Sequence, residues 1–402
     1  MVDKAGPEVW DVVVVGAGPA GASAALSAAD SRARTLLVDR SRLPRYKTCG
    51  GGLIGVTVDA LPDDIDIPVR EQVESVSFTL RTRHLRRRNA ARHSPPLLQM
   101  VDRAEFDLAL VRAAQDRGAV LQQETMVRSV EEHAGRVQLS TDTGTIWARS
   151  VVGCDGSAGR IGRYVGVEMG RVDLGLELEL ELTGPHRHDW LRRIHLDWGP
   201  LPGSYGWVFP KGDWLTVGVI AARGAGPATR AYLAELVAGL GLDQLPVLRS
   251  SGHLTQCRRD GSPLRRGRVL VSGDAAGLLE PWTREGISFA VRSGHLAGRT
   301  AAEMSHLPDS EAFSVAGRYS DEIDRGLGVE MRTGRRLATA IAAHPTLAYL
   351  AITHTPPGWK AFQDFTRGTA LLPELVGRWP ITTSIKAAKT ASRLVRAPTT
   401  SD

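Results

Sequence analysis

Asp11–Val15 is an acid followed by four valines and closed by glycine, the pattern of a short strand buried on both faces. Ala20–Ala29 is mostly Ala and Ser, small enough for a helix packed closely on a sheet. Thr35–Val38 reads as the next parallel strand and ends at Asp39. Short strands are expected from Glu74 to Leu98, and Phe106, Leu110 and Val111 share one face of a helix over Phe106–Ala114. A strand pair at Val137–Leu139 and Ile146–Ala148 leads into Val151–Asp155. The stretch from Leu174 to Val219 is β-rich, and the Leu/Glu alternation of Leu176–Leu182 predicts a half-exposed sheet strand. The first pattern returns at Val269–Ser272, followed by a long Ala- and Gly-rich helix over Ile287–Met304. Beyond Ser310 the chain reads as helical, with breaks near Pro345 and Pro356-Pro357. The two kinds of structure are interleaved along the chain rather than laid end to end.

Composition narrows the class. With 402 residues, 42% apolar and 23% charged, the chain is long enough for two joined domains and an appendage. The net charge of +6 suits anionic lipid or diphosphate, and nucleic acid is not the expected partner. Cys49, Cys154 and Cys257 have neither CxxC spacing nor an even count, so no disulfide framework or metal site is indicated. Val12–Ala29, the longest candidate for a membrane span, is broken by Gly16, Gly18, Pro19 and Gly21. Asp3 and Glu8 precede it in place of a basic-then-apolar leader. The expected location is the cytoplasm, either free or peripheral at the inner face of the membrane.

The glycines carry the first chemistry. Gly16-Ala17-Gly18-Pro19-Ala20-Gly21 fits G-x-G-x-x-G between a strand and a helix. Gly16 permits the tight turn, Gly18 admits a pyrophosphate, and Gly21 allows close helix packing. The helix N-terminus offers unpaired N–H groups to phosphate. Asp39, with Arg40 beside it, stands at a strand end where an acid accepts from ribose hydroxyls. These residues predict dinucleotide binding without choosing between NAD and FAD.

The later segments make that choice through a resemblance. Gly273-Asp274-Ala275-Ala276-Gly277, with Glu285-Gly286-Ile287 after it, resembles the closing FAD contact of the flavoproteins built like aromatic hydroxylases. Val152-Gly153-Cys154-Asp155-Gly156 resembles their second motif, with Gly159 in place of the usual serine and Gly162 near the usual arginine. The resemblance implies that Asp274 meets the ribityl chain and that the Gly286 and Ile287 N–H groups approach the flavin pyrimidine edge. It also places Arg103 near the cofactor. The implied fold is α/β, a Rossmann-type FAD-binding domain interleaved with a β-sheet substrate domain, plus C-terminal helices. Its expected parts are 1–73, 101–170 and 261–310 for FAD, 74–100 and 171–260 for substrate, and 311–402 for the helices.

Within that superfamily the chain most resembles the geranylgeranyl reductase family. Lys47-Thr48-Cys49-Gly50-Gly51-Gly52 matches its Cys-Gly-rich stretch beside the flavin, making Cys49 the candidate active-site thiol and Gly50 and Gly51 cofactor contacts. Consecutive glycines bring bare backbone against something flat or bulky, such as the flavin ring. Tyr205-Gly206-Trp207-Val208-Phe209-Pro210 matches the Tyr-x-Trp-x-Phe-Pro element of the family, and the three aromatics project from one sheet face. Trp207, Phe209 and Trp282 are thus expected to line the substrate, and Arg284 to add bulk and charge near the flavin ring. Arg81, Arg83, Arg86, Arg87, Arg88 and Arg92, and the tail residues Lys386, Lys389, Arg393 and Arg396, are basic groups able to meet anionic headgroups.

The resemblance implies saturation of isolated C=C bonds in a polyprenyl chain, with NAD(P)H or another reductant as electron donor. Such an alkene is not electrophilic, so protonation must accompany hydride transfer. Cys49 is the expected proton donor, since a thiol of ordinary pKa near ~8.5 is mostly protonated at neutral pH; Tyr205 is the reserve. A flavin monooxygenase or halogenase on the same fold, and a non-catalytic prenyl-lipid-binding flavoprotein, are the alternatives.

Overall fold

The computed structural model describes residues 8–91, 93–184 and 186–378. Arg92, Lys386, Lys389, Arg393 and Arg396 lie outside the described residues. An eight-stranded sheet is built on the parallel strands Val9–Val15, Thr35–Val38, Val120–Gln122, Thr145–Gly153 and Val269–Val271. Val12, Val13 and Val14 are all 0% exposed, so this strand is covered on both faces, as its unbroken β-branched run demands. The antiparallel hairpin Val127–His133/Arg136–Thr141 joins the sheet through Thr145–Gly153.

Two helices far apart in sequence pack on this sheet and on each other. Pro19–Asp30 begins with proline, whose missing N–H costs nothing in the first turn. Ile287–Ser305 crosses it so closely that a Cβ on Gly294 or Gly298 would collide with the Ala20 or Ala24 carbonyl oxygen. The helix Arg103–Asp116 packs beside them, capped by Asp102, whose side chain accepts from the Ala104 and Glu105 N–H groups at 2.8 and 3.2 Å.

A seven-stranded sheet runs in the order Val247–Arg258, Met169–Glu181, Trp214–Ala222, Tyr205–Pro210, Arg193–Trp198, Ser75–Leu80, Arg83–Asn89. All pairs are antiparallel except Arg193–Trp198 with Ser75–Leu80. Period-two alternation divides its residues. Leu178, Leu180, Leu215, Val217, Val219 and Val208 pack with Tyr232, Leu233 and Leu236 of the helix Gly226–Gly239. The intervening residues Gly175, Glu177, Tyr205, Trp207, Phe209 and Ile220 face a cavity instead.

This arrangement corrects one expectation. The acidic side of Leu176–Leu182 is not generally open to water, because Glu177 is 2% exposed. Its strand lies between two others, and the face turned from the leucines roofs an internal cavity. Pro345 and Pro356 likewise start helices, Pro345–His354 and Pro356–Thr366, rather than merely interrupting one. The arginines of residues 83–88 form the outer edge strand of the second sheet, where Arg88 stacks over Trp359 at 5.2 Å.

The close helix crossing yields a stability prediction. Gly298→Val forces the helices apart and is expected to lower the unfolding free energy by roughly 1–3 kcal/mol, read in a denaturant melt.

Candidate functional site

One cavity of about 1520 Å³ runs between the two sheets. Its polar end is built on the first βα turn. Gly16 has φ +104°, and a Cβ there would run into the Cys154 carbonyl; Gly21 has no room for one against the Gly16 carbonyl. Gly18 is the N-cap of Pro19–Asp30, so the free N–H groups of the first helical turn open toward the cavity. Asp39, at the end of Thr35–Val38, accepts from Ala17 N–H through Oδ2 and from Ser41 N–H through Oδ1, each at 2.7 Å. Its carboxylate thereby ties the glycine turn to the neighbouring strand while still lining the cavity beside Arg40.

Asp155 closes the other wall. Its Oδ2 accepts from the Arg160 and Ile161 N–H groups, at the start of the helix Arg160–Val165, while Oδ1 is buried without a partner among the described residues. Burial raises its pKa, and those backbone donors oppose the rise. The departures at Gly159 and Gly162 now have a physical reason. A side chain at Gly159 would occupy the space of the Asp155 carboxylate, and one at Gly162 would strike the Ala275 carbonyl. Gly156, with φ +81°, turns the chain between Asp155 and Gly159.

Gly273 sits with φ +55° against Ala20, which brings Asp274 into the cavity opposite the glycine turn. Gly286 is the N-cap of Ile287–Ser305, and Ile287 is its first residue, where backbone N–H groups have no intrahelical partner. The loop before it is held by a buried acid, Glu280, and a half-buried one, Glu285. Glu280 accepts from the Trp282 and Thr283 N–H groups and the Thr283 hydroxyl, while Glu285 accepts from Ser288 N–H at 2.7 Å. Burial raises the Glu285 pKa to about 7, opposed by its bonds from Ser288. Arg284 lines the same cavity, with φ +58°, and its guanidinium donates to Asp173 at 3.1 Å and to the Gly203 carbonyl at 3.0 Å.

The middle of the cavity holds the remaining residues. Cys49 is half-buried, and its Sγ accepts from Gly51 N–H at 3.4 Å. A Cβ on Gly50 would lie 2.8 Å from the Phe209 ring, and one on Gly51 would meet the Val101 carbonyl and the Lys211 ammonium. The bare backbone here therefore accommodates the aromatic strand as well as facing the cavity. Arg103 is buried and forked onto Asp107 at 2.9 and 3.1 Å, close to Cys49, rather than forming a surface ion pair. Tyr205, Trp207 and Phe209 follow one another with centroid separations of 5.8 and 6.3 Å, and Trp282 stands near Phe365. The Tyr205 hydroxyl donates to the Thr283 carbonyl, and burial raises its pKa further.

Every candidate catalytic, cofactor and substrate residue thus lines one cavity except Gly21, which acts through packing. The arginines of the outer edge strand do not line it. Sequence reasoning missed Glu177, Lys211 and His253. Lys211 donates to the Cys49 carbonyl at 3.3 Å, and Lys47 lies 2.9 Å from His253 Nε2. Burial lowers the Lys47 pKa, opposed by Asp274. The only signal for Glu177 was its place on the face opposite the leucines.

The glycine cradle, the acid at its rim and the helix N-terminus fit a dinucleotide, and the continuing space toward Cys49 and Trp207 fits a flat ring at its end. Residues 9–177 match the FAD binding domain family. A digeranylgeranylglycerophospholipid reductase of Methanosphaera stadtmanae is 27% identical, over 80% of this chain and 84% of its own. A menaquinone reductase of Mycolicibacterium smegmatis is 29% identical, over 80% and 83%. Among solved structures, a geranylgeranyl bacteriochlorophyll reductase-like protein of Thermoplasma acidophilum aligns with TM-score 0.74 at 20% identity, over 93% of this chain and 99% of its own. A flavin-dependent brominase aligns at 0.72 and 17%, over 90% and 94%, so the fold is shared with halogenases.

Removing the acid that ties the turn tests the cradle. Asp39→Ala is expected to weaken FAD binding by about 10- to 100-fold, the loss of charge-assisted bonds of about 1.5–3 kcal/mol, read by flavin fluorescence titration.

Proposed function

We propose that this chain, an FAD-dependent oxidoreductase similar to geranylgeranyl reductases, saturates C=C bonds of a polyprenyl chain carried by a lipid, a diphosphate or a quinone. The observation that carries the reading is the far end of the cavity. Past Trp207 and Phe209 it is lined by Leu98, Ile194, Leu196, Trp198, Ile352 and Phe362, an apolar bore in line with the cofactor cradle. A flexible hydrocarbon gains from leaving water against such a lining.

Bound FAD supplies the hydride. The protein must hold the alkene, keep water away and provide a proton. The aromatic faces of Tyr205, Trp207 and Phe209 suit a carbon that gains positive character as the proton arrives. Cys49 is the donor we assign, since its thiol lies between the cradle and the aromatic row. Tyr205 is less suited, because its hydroxyl already serves the Thr283 carbonyl and burial holds its proton more tightly. Arg103 and Lys47 place positive charge at the same wall, where it favours the reduced, anionic cofactor. NAD(P)H or another reductant reloads the cofactor.

The substrate side of the molecule also fits contact with a membrane surface. Leu347 and Leu350 are exposed on the helix Pro345–His354, whose Ile352 lines the bore. From Met331 to Gln363 the sequence has no acid, so this region is apolar and basic toward an anionic lipid. No helix among the described residues is long and apolar enough to cross a membrane.

Anaerobic incubation of the reduced protein with prenyl substrates, followed by mass spectrometry, tests the reading. The expected product gains mass in steps of one hydrogen pair. Product that forms only with oxygen and carries an oxygen or halogen atom would establish the monooxygenase or halogenase reading. Bound prenyl lipid recovered unchanged under every donor would establish the non-catalytic one.

A further inference from the structure

One buried acid in the cavity has no part in the chemistry above. Glu177 lines the cavity at 2% exposure, and neither carboxylate oxygen has a hydrogen-bond partner among the described residues. Burying a charge without partners is strongly unfavourable, so an acid kept in this position handles a proton or a ligand.

Its surroundings favour the proton. Gly218 and Ser251 stand opposite it on the two flanking strands and bring no charge. Glu179 lies on its own strand, Lys211 just past Tyr205–Pro210, and the 46–49 loop presents Tyr46, Lys47 and Cys49. Lys47 in turn leans on His253. Burial raises the Glu177 pKa to about 7, Lys211 lowers it and Glu179 raises it, so both protonation states are populated near neutrality. The Cys49 N–H approaches the carboxylate, short of full hydrogen-bond geometry. On its other side Lys211 donates to the Cys49 carbonyl at 3.3 Å. The backbone of the cysteine thus lies between a buried acid and a buried ammonium from different parts of the second sheet, while Arg103, on the helix Arg103–Asp116, faces its thiol.

We propose that Glu177 is a positioning residue that returns to Cys49 the proton the thiol gives up in each reduction. The proposal rests on Cys49 as the proton donor. Reduction of one C=C uses one hydride and one proton. As the thiol delivers its proton, S–H breaks and C–H forms, leaving a thiolate. Transfer from the Glu177 carboxylic acid then breaks O–H and remakes S–H, and the resulting carboxylate is reprotonated from solvent. No further oxidant or reductant enters. With Gln at this position the thiol can still act once, but its recharging must wait for water.

Two measurements decide it. The first follows iodoacetamide alkylation of Cys49 in the FAD-free protein by peptide mass spectrometry, across pH ~6 to ~9. Wild type is expected to show an inflection near pH 7 that Glu177→Gln removes and Glu177→Asp restores. Deleting a neighbouring negative charge favours the thiolate, so the Gln variant should alkylate several-fold faster at pH ~8. Superimposable wild-type and Gln profiles would overturn the proposal. The second compares single with multiple turnover. Glu177→Gln should keep the first turnover and slow later ones by about 10-fold or more; equal slowing of both would mean a merely structural role. Cys49→Ala separates the two readings. Wild-type turnover in that variant removes Cys49 as donor, and the proton-return step with it, whatever the alkylation profiles show. An inactive Cys49→Ala with superimposable profiles removes Glu177 alone.

Discussion

Two backbones touch where Gly294 and Gly298 lie under the Ala20 and Ala24 carbonyls, and both ends of the cofactor cradle are set by that contact. The helix Pro19–Asp30 fixes the N–H groups of the glycine turn, and Ile287–Ser305 fixes Gly286, Ile287 and the loop before them. Gly273 meets Ala20 at the same place, so Asp274 is carried on the same joint. A side chain at any of these positions would shift one wall of the site against the other. Small residues are needed here for packing, and the geometry of the site follows from it.

Around that joint the cavity is unusually rich in buried charge for a chamber with an apolar bore. The charges are not scattered. Asp107 takes the Arg103 fork and a longer contact from Arg45, Asp173 takes Arg171 and Arg284, and Glu280 and Glu285 are spent on backbone N–H groups of their own loop. Beside Cys49, by contrast, neither Glu177 oxygen has a hydrogen-bond partner among the described residues, and Lys211 donates to the Cys49 carbonyl. Structural charge and charge available for chemistry are thus separated within a few residues of each other.

Much of the cradle was legible because its chemistry is local in sequence. Gly16, Gly18, Gly21 and Asp39 act through a turn and two adjacent strands, so spacing alone reveals them. The aromatic row was legible for the same reason, since period two within one strand places Tyr205, Trp207 and Phe209 together. Residues joined by strand register were not. Glu177 looked like one of several solvated glutamates, because only its pairing between Met169–Glu181 and its two neighbours turns that face inward. Lys211 follows the aromatic strand, and its reach to the Cys49 carbonyl joins segments far apart in the sequence. Gly159 and Gly162 looked like departures from a motif, yet each is required by a carboxylate or carbonyl brought in by the fold. The contacts of Arg284 with Asp173 and the Gly203 carbonyl were not legible either, because they join segments far apart in the sequence.

The joint between the first and the late helix also orders events during synthesis. The glycine turn leaves the ribosome early, but its opposing wall is encoded after residue 273 and locked only by Gly294 and Gly298. Until that stretch has emerged, the nascent chain can present phosphate-binding N–H groups but no enclosed chamber. Enclosure of FAD therefore requires the segment through Gly298, which covers the first helix.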